Sequence, residues 1–423
     1  MMAALLTAGV AIAQSLPQAA RPEAVGFSTE RLKRLDDAMA GIVARGEVKG
    51  VATMLIRHGR IVSVLTHGNR DEKQAMSRDT IFRLASMSKP VTGVALMMLF
   101  EEGKFSLDDP ISKFIPEFKD LQVAVGMNAD GTPKLEPAVH APTMRNLMSH
   151  TAGFGYGMFQ NTVGDKIFAQ KAPLAADSLR QMIERMAQVP LQYQPGEHFS
   201  YSAGIDVEGY IVEKLSGMRF GEFLQQRLFG PLHMVDSGFY VPPAKLGRLA
   251  AAYRTGANGA LVPVEGGGFG GRRDPSQPPG LESGGGGLFS TLDDYSHFAA
   301  MLANKGEWNG VRILAPATVE LMGTNVFPRP LPPGFALSLQ WMFSDAMGFG
   351  LNMQTAVDPR AAGRLEGKGT LSWDGATGVW WWMDPTNDVI FLGMIQNMTR
   401  AGPRGYQDLA RQLVYQALVD PGK

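Results

Sequence analysis

The chain has 423 residues, 50 of them glycine and none cysteine, and its 40 lysines and arginines balance 40 aspartates and glutamates. That length holds one large domain or two moderate ones. The missing cysteine excludes disulfides, thiolate metal sites and a thiol nucleophile, and the even charge gives no support to nucleic-acid binding or to a polybasic membrane surface.

Residues 1–13 carry no charge and end in Ala11-Ile12-Ala13 before Gln14, a small-x-small pattern similar to a signal-peptidase site. The basic n-region is missing, because the first charged residue is Arg21. Residues 1–22 therefore read as a signal remnant or a flexible extension. The first reading places the protein in the periplasm or outside the cell, the second in the cytoplasm. No later stretch has 18 uninterrupted apolar residues, so no transmembrane anchor is expected.

Leu32, Leu35, Met39 and Ile42 recur at helical spacing and predict a helix over 28–45. Strands at Val51–Ile56 and Ile61–Leu65 flank His58-Gly59-Arg60, a hairpin turn. A helix is expected from Ser86 to about Glu102, with Gly103 as its stop, followed by a turn or short helix over 107–116. Residues 141–261 read as mainly helical, with helices at 143–149, 177–188, 204–216 and 221–228. Residues 262–287 hold ten of the glycines and read as a long loop, mobile or bordering the active site. A helix over 291–303 is followed by strands at Phe335–Met342, Thr370–Trp373, Gly378–Trp382 and Val389–Ile395, and by a closing helix, Tyr406–Val419. Short strands separated by turns favour an α+β fold: an antiparallel sheet flanked by helices, built from 23–140 and 262–423, plus the mainly helical domain.

The chemical signal is Ser86-Met87-Ser88-Lys89. In a helical turn Ser86 and Lys89 share one face. A serine hydroxyl needs a proton acceptor to become a nucleophile, and a lysine whose neutral form is favoured can supply one. Pro90 is acceptable only in a first turn, which sets Ser86 near a helix N-terminus. Read in isolation, the four residues fit a capping serine and a solvent-facing lysine better than a catalytic pair.

The ordered set of segments decides between these. Phe82–Lys89 resembles the active-site region of the serine β-lactamase-like and penicillin-binding-protein-like superfamily. Leu147-Met148-Ser149-His150-Thr151-Ala152-Gly153 resembles its L-x-x-H-T-x-G segment, and Tyr201-Ser202-Ala203 its tyrosine motif. Leu371–Gly378 stands where its third motif belongs, and Pro231–Met234 and Gly285–Ser290 also fit the spacing. The resemblance runs from about residue 28 to 420 and implies the β-lactamase/transpeptidase-like fold, with Ser86, Lys89 and Tyr201 as catalytic residues. It further implies an oxyanion hole from the backbone N–H groups of Ser86 and Ala376. Tyr201 is expected to share the Ser86 proton with help from the Lys89 cation; Ser202 shapes the turn and His150 is a hydrogen-bonding residue.

Two departures from the antibiotic-hydrolysing pattern carry the specificity reading. The cationic Lys-Thr-Gly of the third motif is Trp373-Asp374-Gly375 here, and the tyrosine motif ends in Ala203 rather than asparagine. A substrate carboxylate loses its cationic partner. Trp373, Asp374 and Gly375 are therefore expected to bind a small uncharged ester, as in the family VIII carboxylesterases that the sequence resembles. The implied activity is hydrolysis of short- to medium-chain esters through an acyl-serine, without a cofactor, with weak β-lactamase activity on the side. A β-lactamase or D-alanyl peptidase, an acyltransferase and a non-catalytic ligand-binding member are the alternatives. There is no G-x-S-x-G elbow, H-E-x-x-H or phosphate-binding loop, and Arg272-Arg273 forms no nucleic-acid stripe. The oligomeric state is not readable from the sequence.

Overall fold

The computed structural model describes residues 15–264, 274–398 and 404–422. The cleavage-like site before Gln14 and the paired arginines 272 and 273 lie outside them. Residues 17–19 already run along the sheet, where the Ala19 amide donates to the Ile61 carbonyl at 2.8 Å and the Ile61 amide to the Pro17 carbonyl at 2.8 Å.

The centre is a seven-stranded antiparallel sheet. In chain order its strands are β1 (Gly50–Arg57), β2 (Arg60–Gly68), β3 (Met347–Phe349), β4 (Gln354–Ala356), β5 (Leu371–Gly375), β6 (Val379–Asp384) and β7 (Val389–Met394). They lie side by side as β3-β4-β5-β6-β7-β1-β2, so the N-terminal hairpin completes a sheet made mostly by the C-terminal third of the chain. His58 and Gly59 both take positive φ, 51° and 64°, the geometry that lets a two-residue turn follow the twist of its strands.

Strand alternation sorts the side chains onto two faces. Val51, Leu55, Trp380, Trp382 and Phe391 join the core under helices α1 (Thr29–Ala44) and α10 (Arg404–Tyr415). Ala52, Met54, Ile56, Trp381 and Leu392 face the larger core. Trp381 packs there on Tyr295 and Phe298 of α8 (Leu292–Ala303), with ring centroids 5.9 and 6.4 Å away. Both faces of β1 are covered, so all eight of its residues are buried.

The second region is helical: α3 (Met144–Met148), α4 (Val163–Lys171), α5 (Leu179–Met186), α6 (Gly204–Ser216) and α7 (Phe220–Leu224), with a protruding hairpin of Gln122–Met127 and Pro133–Pro137. Helix α2 (Ser88–Glu101) packs on α6 and is buried along nearly its whole length, ending before Gly103 at φ 69°. Helix α9 (Pro316–Gly323) precedes the sheet edge. The fold is thus α+β, an antiparallel sheet flanked by helices with a separate helical region, as in β-lactamases and transpeptidases. Among the described residues no helix is long and apolar enough to cross a membrane.

One expected strand does not form. Phe335–Met342 is irregular and ends in a single 3-10 turn, Gln340–Met342. Its apolarity serves packing instead. Phe335 and Phe343 gather with Phe199, Phe327 and Phe349 in one aromatic cluster, and among the described residues the segment's ladder contact is a single bridge from Ala336 to Phe199.

Candidate active site

Ser86 sits just ahead of α2, in the 3-10 turn Ala85–Met87. The sequence places it within the helix; the structure starts the helix at Ser88 and turns the chain sharply before it. Ala85 holds φ at 44°, a left-handed conformation that costs a non-glycine residue roughly 1–2 kcal/mol. Neighbouring segments fix it. Phe82–Arg83 pairs with Phe289–Ser290, the Leu84 amide donates to the Leu288 carbonyl at 2.9 Å, and the Tyr295 hydroxyl donates to the Met87 carbonyl at 3.0 Å. Lys89 follows in the first turn of α2, where Pro90 removes an N–H that had no helical partner.

Tyr201 reaches the same point from the loop before α6. Its amide donates to Ser338 Oγ at 2.8 Å, and the neighbouring Ser202 amide donates to His150 Nδ1 at 3.2 Å. The outcome is convergence on one oxygen: Tyr201 Oη lies 2.6 Å and Lys89 Nζ 3.3 Å from Ser86 Oγ. Lys89 Nζ also donates to the Gly285 carbonyl at 2.6 Å and sits 4.5 Å from the centre of the Tyr201 ring.

Burial then sets the protonation states. Lys89 has no exposed surface, and loss of solvation lowers its pKa to about 7, against the upward pull of Asp206, Glu208 and Asp374. Burial raises Tyr201 well above its usual 10, with Tyr156 and Asp374 adding to the rise and the Ser86 hydrogen bond opposing it. Of the two roles the sequence leaves open for each group, these directions favour a lysine pushed toward its neutral form and a tyrosine held as a phenol. His150 is driven well below 6.5 by burial and by Lys89, so its ring is neutral.

The third motif closes the site from the sheet. The turn after β5 is pulled onto the serine turn: Thr377 Oγ1 donates to the Arg83 carbonyl at 2.6 Å, and a Cβ on Gly375 would lie 2.2 Å from the Leu84 carbonyl. No other residue fits at 375, and this close approach brings Ala376 to the Ser86 turn. Trp373 is buried between Tyr201 and Phe349, with centroids 5.9 and 5.4 Å away. Asp374 Oδ2 accepts from Gln407 Nε2 at 3.1 Å, tying β5 to α10. A polar recess opens there, bordered by Gln354, Ser372, Asp374 and Gln407. Its described cations, Arg364 and Arg411, are each 3.4 Å from the buried Glu366. Neither stands in for the missing third-motif lysine.

Three contributors have no role in the motif reading, although Gly285 stands in the Gly285–Ser290 segment that fits the family's spacing. Gly285 supplies the carbonyl on Lys89. Ser338 anchors the Tyr201 backbone. Tyr156 lies 5.5 Å from both the Tyr201 ring and Lys89 Nζ, measured between ring centres and from the ring centre respectively. Its loop is held by the buried Asp165, whose carboxylate accepts the amides of Tyr156, Gly157, Phe159 and Gln160 at 2.7–3.2 Å. Glycine on both sides of Tyr156 was the available hint.

Fold and site together define a serine enzyme of the hydrolase and acyltransferase class. The Beta-lactamase family model matches residues 35–416, and the chain belongs to that family. Esterase EstB of Burkholderia gladioli is 30% identical over 400 residues, covering 90% of this chain and 94% of that protein. Protein Rv1367c of Mycobacterium tuberculosis is 36% identical over 364 residues, covering 83% of this chain and 86% of its own. Among solved structures, EstCE1, described as a hydrolase with promiscuous acyltransferase activity, superposes with a TM-score of 0.75 at 26% identity, covering 91% and 99% of the two chains.

Proposed function

We propose that this enzyme transfers acyl groups from uncharged carboxylic esters through an acyl-Ser86 intermediate, to water or to an alcohol. The observation that carries the proposal is the convergence of Lys89 Nζ and Tyr201 Oη on Ser86 Oγ. Neutral Lys89 takes the Ser86 proton as Oγ attacks the ester carbonyl. The Ser86 and Ala376 amides receive the developing oxyanion. The Tyr201 phenol donates to the departing alkoxide and recovers its proton from the Lys89 ammonium. The alcohol leaves, and the acyl group stays on Ser86. An incoming water or alcohol gives up its proton along the same route in reverse, attacks the acyl carbonyl and frees the serine.

Trp373 favours an ester without a carboxylate, since an indole face gives an anion no counter-charge. The esterase and the hydrolase with acyltransferase activity among its relatives support both fates of the acyl-enzyme. Neither β-lactam hydrolysis nor peptidase action gains support from Trp373 or Ala203.

The test compares wild type and Ser86→Ala on p-nitrophenyl acetate, butyrate and octanoate, with 1-butanol added in steps and a cephalosporin as contrast. Intact mass reads the adduct. The expected result is an acyl adduct and ester turnover in wild type alone, with butyl ester forming as butanol rises. Ester turnover undiminished in Ser86→Ala refutes the nucleophile. Cephalosporin turnover exceeding ester turnover refutes the substrate class.

A further inference from the structure

Behind Lys89, away from the serine, lies a buried acidic layer that the acyl-transfer route does not use. Asp206 and Glu208 on α6 have no exposed surface. Asp206 Oδ1 accepts from the Ser283 hydroxyl and, at 3.1 Å, from the Gly285 amide. Gly285 turns its carbonyl the other way, onto Lys89 Nζ at 2.6 Å. The same loop is laced to α2 by Thr92 Oγ1, which donates to the Gly284 carbonyl at 2.8 Å, and by Ser88 Oγ, which accepts the Leu288 amide at 3.1 Å. A Cβ on Gly285 would lie 2.6 Å from Asp206 Oδ2, so the glycine lets the peptide fit between the carboxylate and the lysine.

We infer that Asp206 is a positioning residue for Lys89: it fixes the Gly285 carbonyl against the lysine nitrogen, and its charge sets the field in which that nitrogen gains and loses its proton. The inference rests on the acyl-transfer reading of Ser86 and Lys89 and assigns regulation of that site to a residue that touches neither substrate nor serine. The other titratable groups around Lys89 are Glu208 from α6, Asp374 from β5, Tyr156, Tyr201 and His150. Burial pushes Glu208 well above its usual range, while Asn352 Nδ2 donates to its Oε2 at 2.6 Å. Burial thus favours the protonated form of Glu208, and the uncharged forms of Tyr156, Tyr201 and His150. Burial raises Asp206 too, and the Ser283 hydroxyl, Lys89 and the Gly285 amide oppose that rise, the support on its oxygens that Glu208, among the described residues, receives only from Asn352. Asp206 is the carboxylate placed to hold a charge behind the lysine.

Asparagine at 206 keeps an oxygen for Ser283 and Gly285 but removes the charge. In Asp206→Asn the ammonium form of Lys89 loses support, so its titration midpoint moves to lower pH. Ser283→Ala loosens the loop and removes one of the donors that favour the Asp206 carboxylate. The experiment follows the 13Cε resonance of Lys89, assigned by its loss in Lys89→Met, and the pH profile of kcat/KM on p-nitrophenyl butyrate. In Asp206→Asn the midpoint and the acidic limb should both fall by about one pH unit, the size of shift a nearby opposite charge gives. Ser283→Ala should lower the plateau kcat severalfold and move the midpoint in the same direction as Asp206→Asn, by a smaller step.

A folded Asp206→Asn protein with an unmoved Lys89 midpoint overturns the inference, because a merely structural role changes kcat without moving the titration. If Asp206→Asn does not fold, Gly285→Ala and Ser283→Ala decide: unchanged kcat and an unchanged Lys89 resonance in both overturn the positioning role, and a lowered kcat with an altered resonance supports it. Ester turnover retained in Ser86→Ala would sink the acyl-transfer reading alone, since the Lys89 titration is measured without substrate.

Discussion

Replacing Lys89 by methionine should abolish activity and stabilise the protein. The reasoning starts from the depressed pKa. Lysine in the unfolded chain holds its proton up to about pH 10.5, whereas the buried group in the folded protein holds it only below about 7. Between those values the unfolded state binds more protons, so stability rises with pH across that window and falls as pH drops through it. The penalty is complete near and below pH 7 and absent above 10.5. At about 1.4 kcal/mol per unit it amounts to roughly 5 kcal/mol. Methionine fills a similar volume without a charge to desolvate, but leaves the Gly285 carbonyl without its donor, which costs about 1–3 kcal/mol. The net gain at pH 7 is therefore about 2–4 kcal/mol.

For 423 residues the unfolding entropy is about 0.9 kcal/mol/K, so the gain appears as a Tm increase of about 2–4 °C. The assay is thermal unfolding of wild type and Lys89→Met from pH 7 to 10. The advantage of the variant should shrink by about 1.4 kcal/mol for each pH unit. A variant less stable than wild type at pH 7, or an advantage independent of pH, would refute the claim that Lys89 is held neutral by burial.

In wild type, kcat/KM should rise with pH through a single acidic limb near 7, because the lysine must lose its proton before it can accept one from Ser86. A limb below pH 5 would point to a carboxylate base instead. Tyr201→Phe should lower kcat by about 10²–10⁴-fold, the usual worth of a positioned proton-transfer group, and stopped-flow with intact mass would show whether the acyl adduct still forms. Asp165→Ala leaves four loop amides without their acceptor. It should raise KM more than it lowers kcat, through movement of Tyr156, and a kcat/KM equal to wild type would show that the loop does not shape the site. Trp373→Ala should destabilise by about 3–5 kcal/mol, as for other buried aromatics, and is read by denaturant unfolding.

Wherever one pattern governed both burial and local geometry, the elements were legible in the sequence. Helix α1 shows its stripe because one side faces the sheet and the other faces water, and its four buried residues are those at helical spacing. The hairpin of 122–137 shows no such pattern: only Val123 and Ala124 are buried in it, so the alternation that announces a strand is missing. Helix α4 is nine residues long with Phe168 as its one buried large side chain, too little for a stripe. Phe335–Met342 misleads in the opposite way, since its apolar residues feed an aromatic cluster rather than a ladder.

The site divides along the same line. Ser86, Lys89 and Tyr201 are identifiable because side-chain chemistry demands those residue types. The groups that hold them act through main-chain atoms or from a distance in sequence. Ser338 bonds a backbone amide 137 residues away, and Gly285 offers a carbonyl 196 residues from the lysine it meets. No residue type is required to supply a carbonyl; what the sequence records is only the need for a missing side chain. The glycines at 284, 285 and 287 meet that need, since a Cβ would lie within 3.0 Å of Ile205, Asp206 and Ser283 atoms respectively. Glycine enrichment thus marks where two buried helices and a loop must touch without side chains between them. That contact is what lets a lysine be dry enough to act as a base while still holding one strong hydrogen bond.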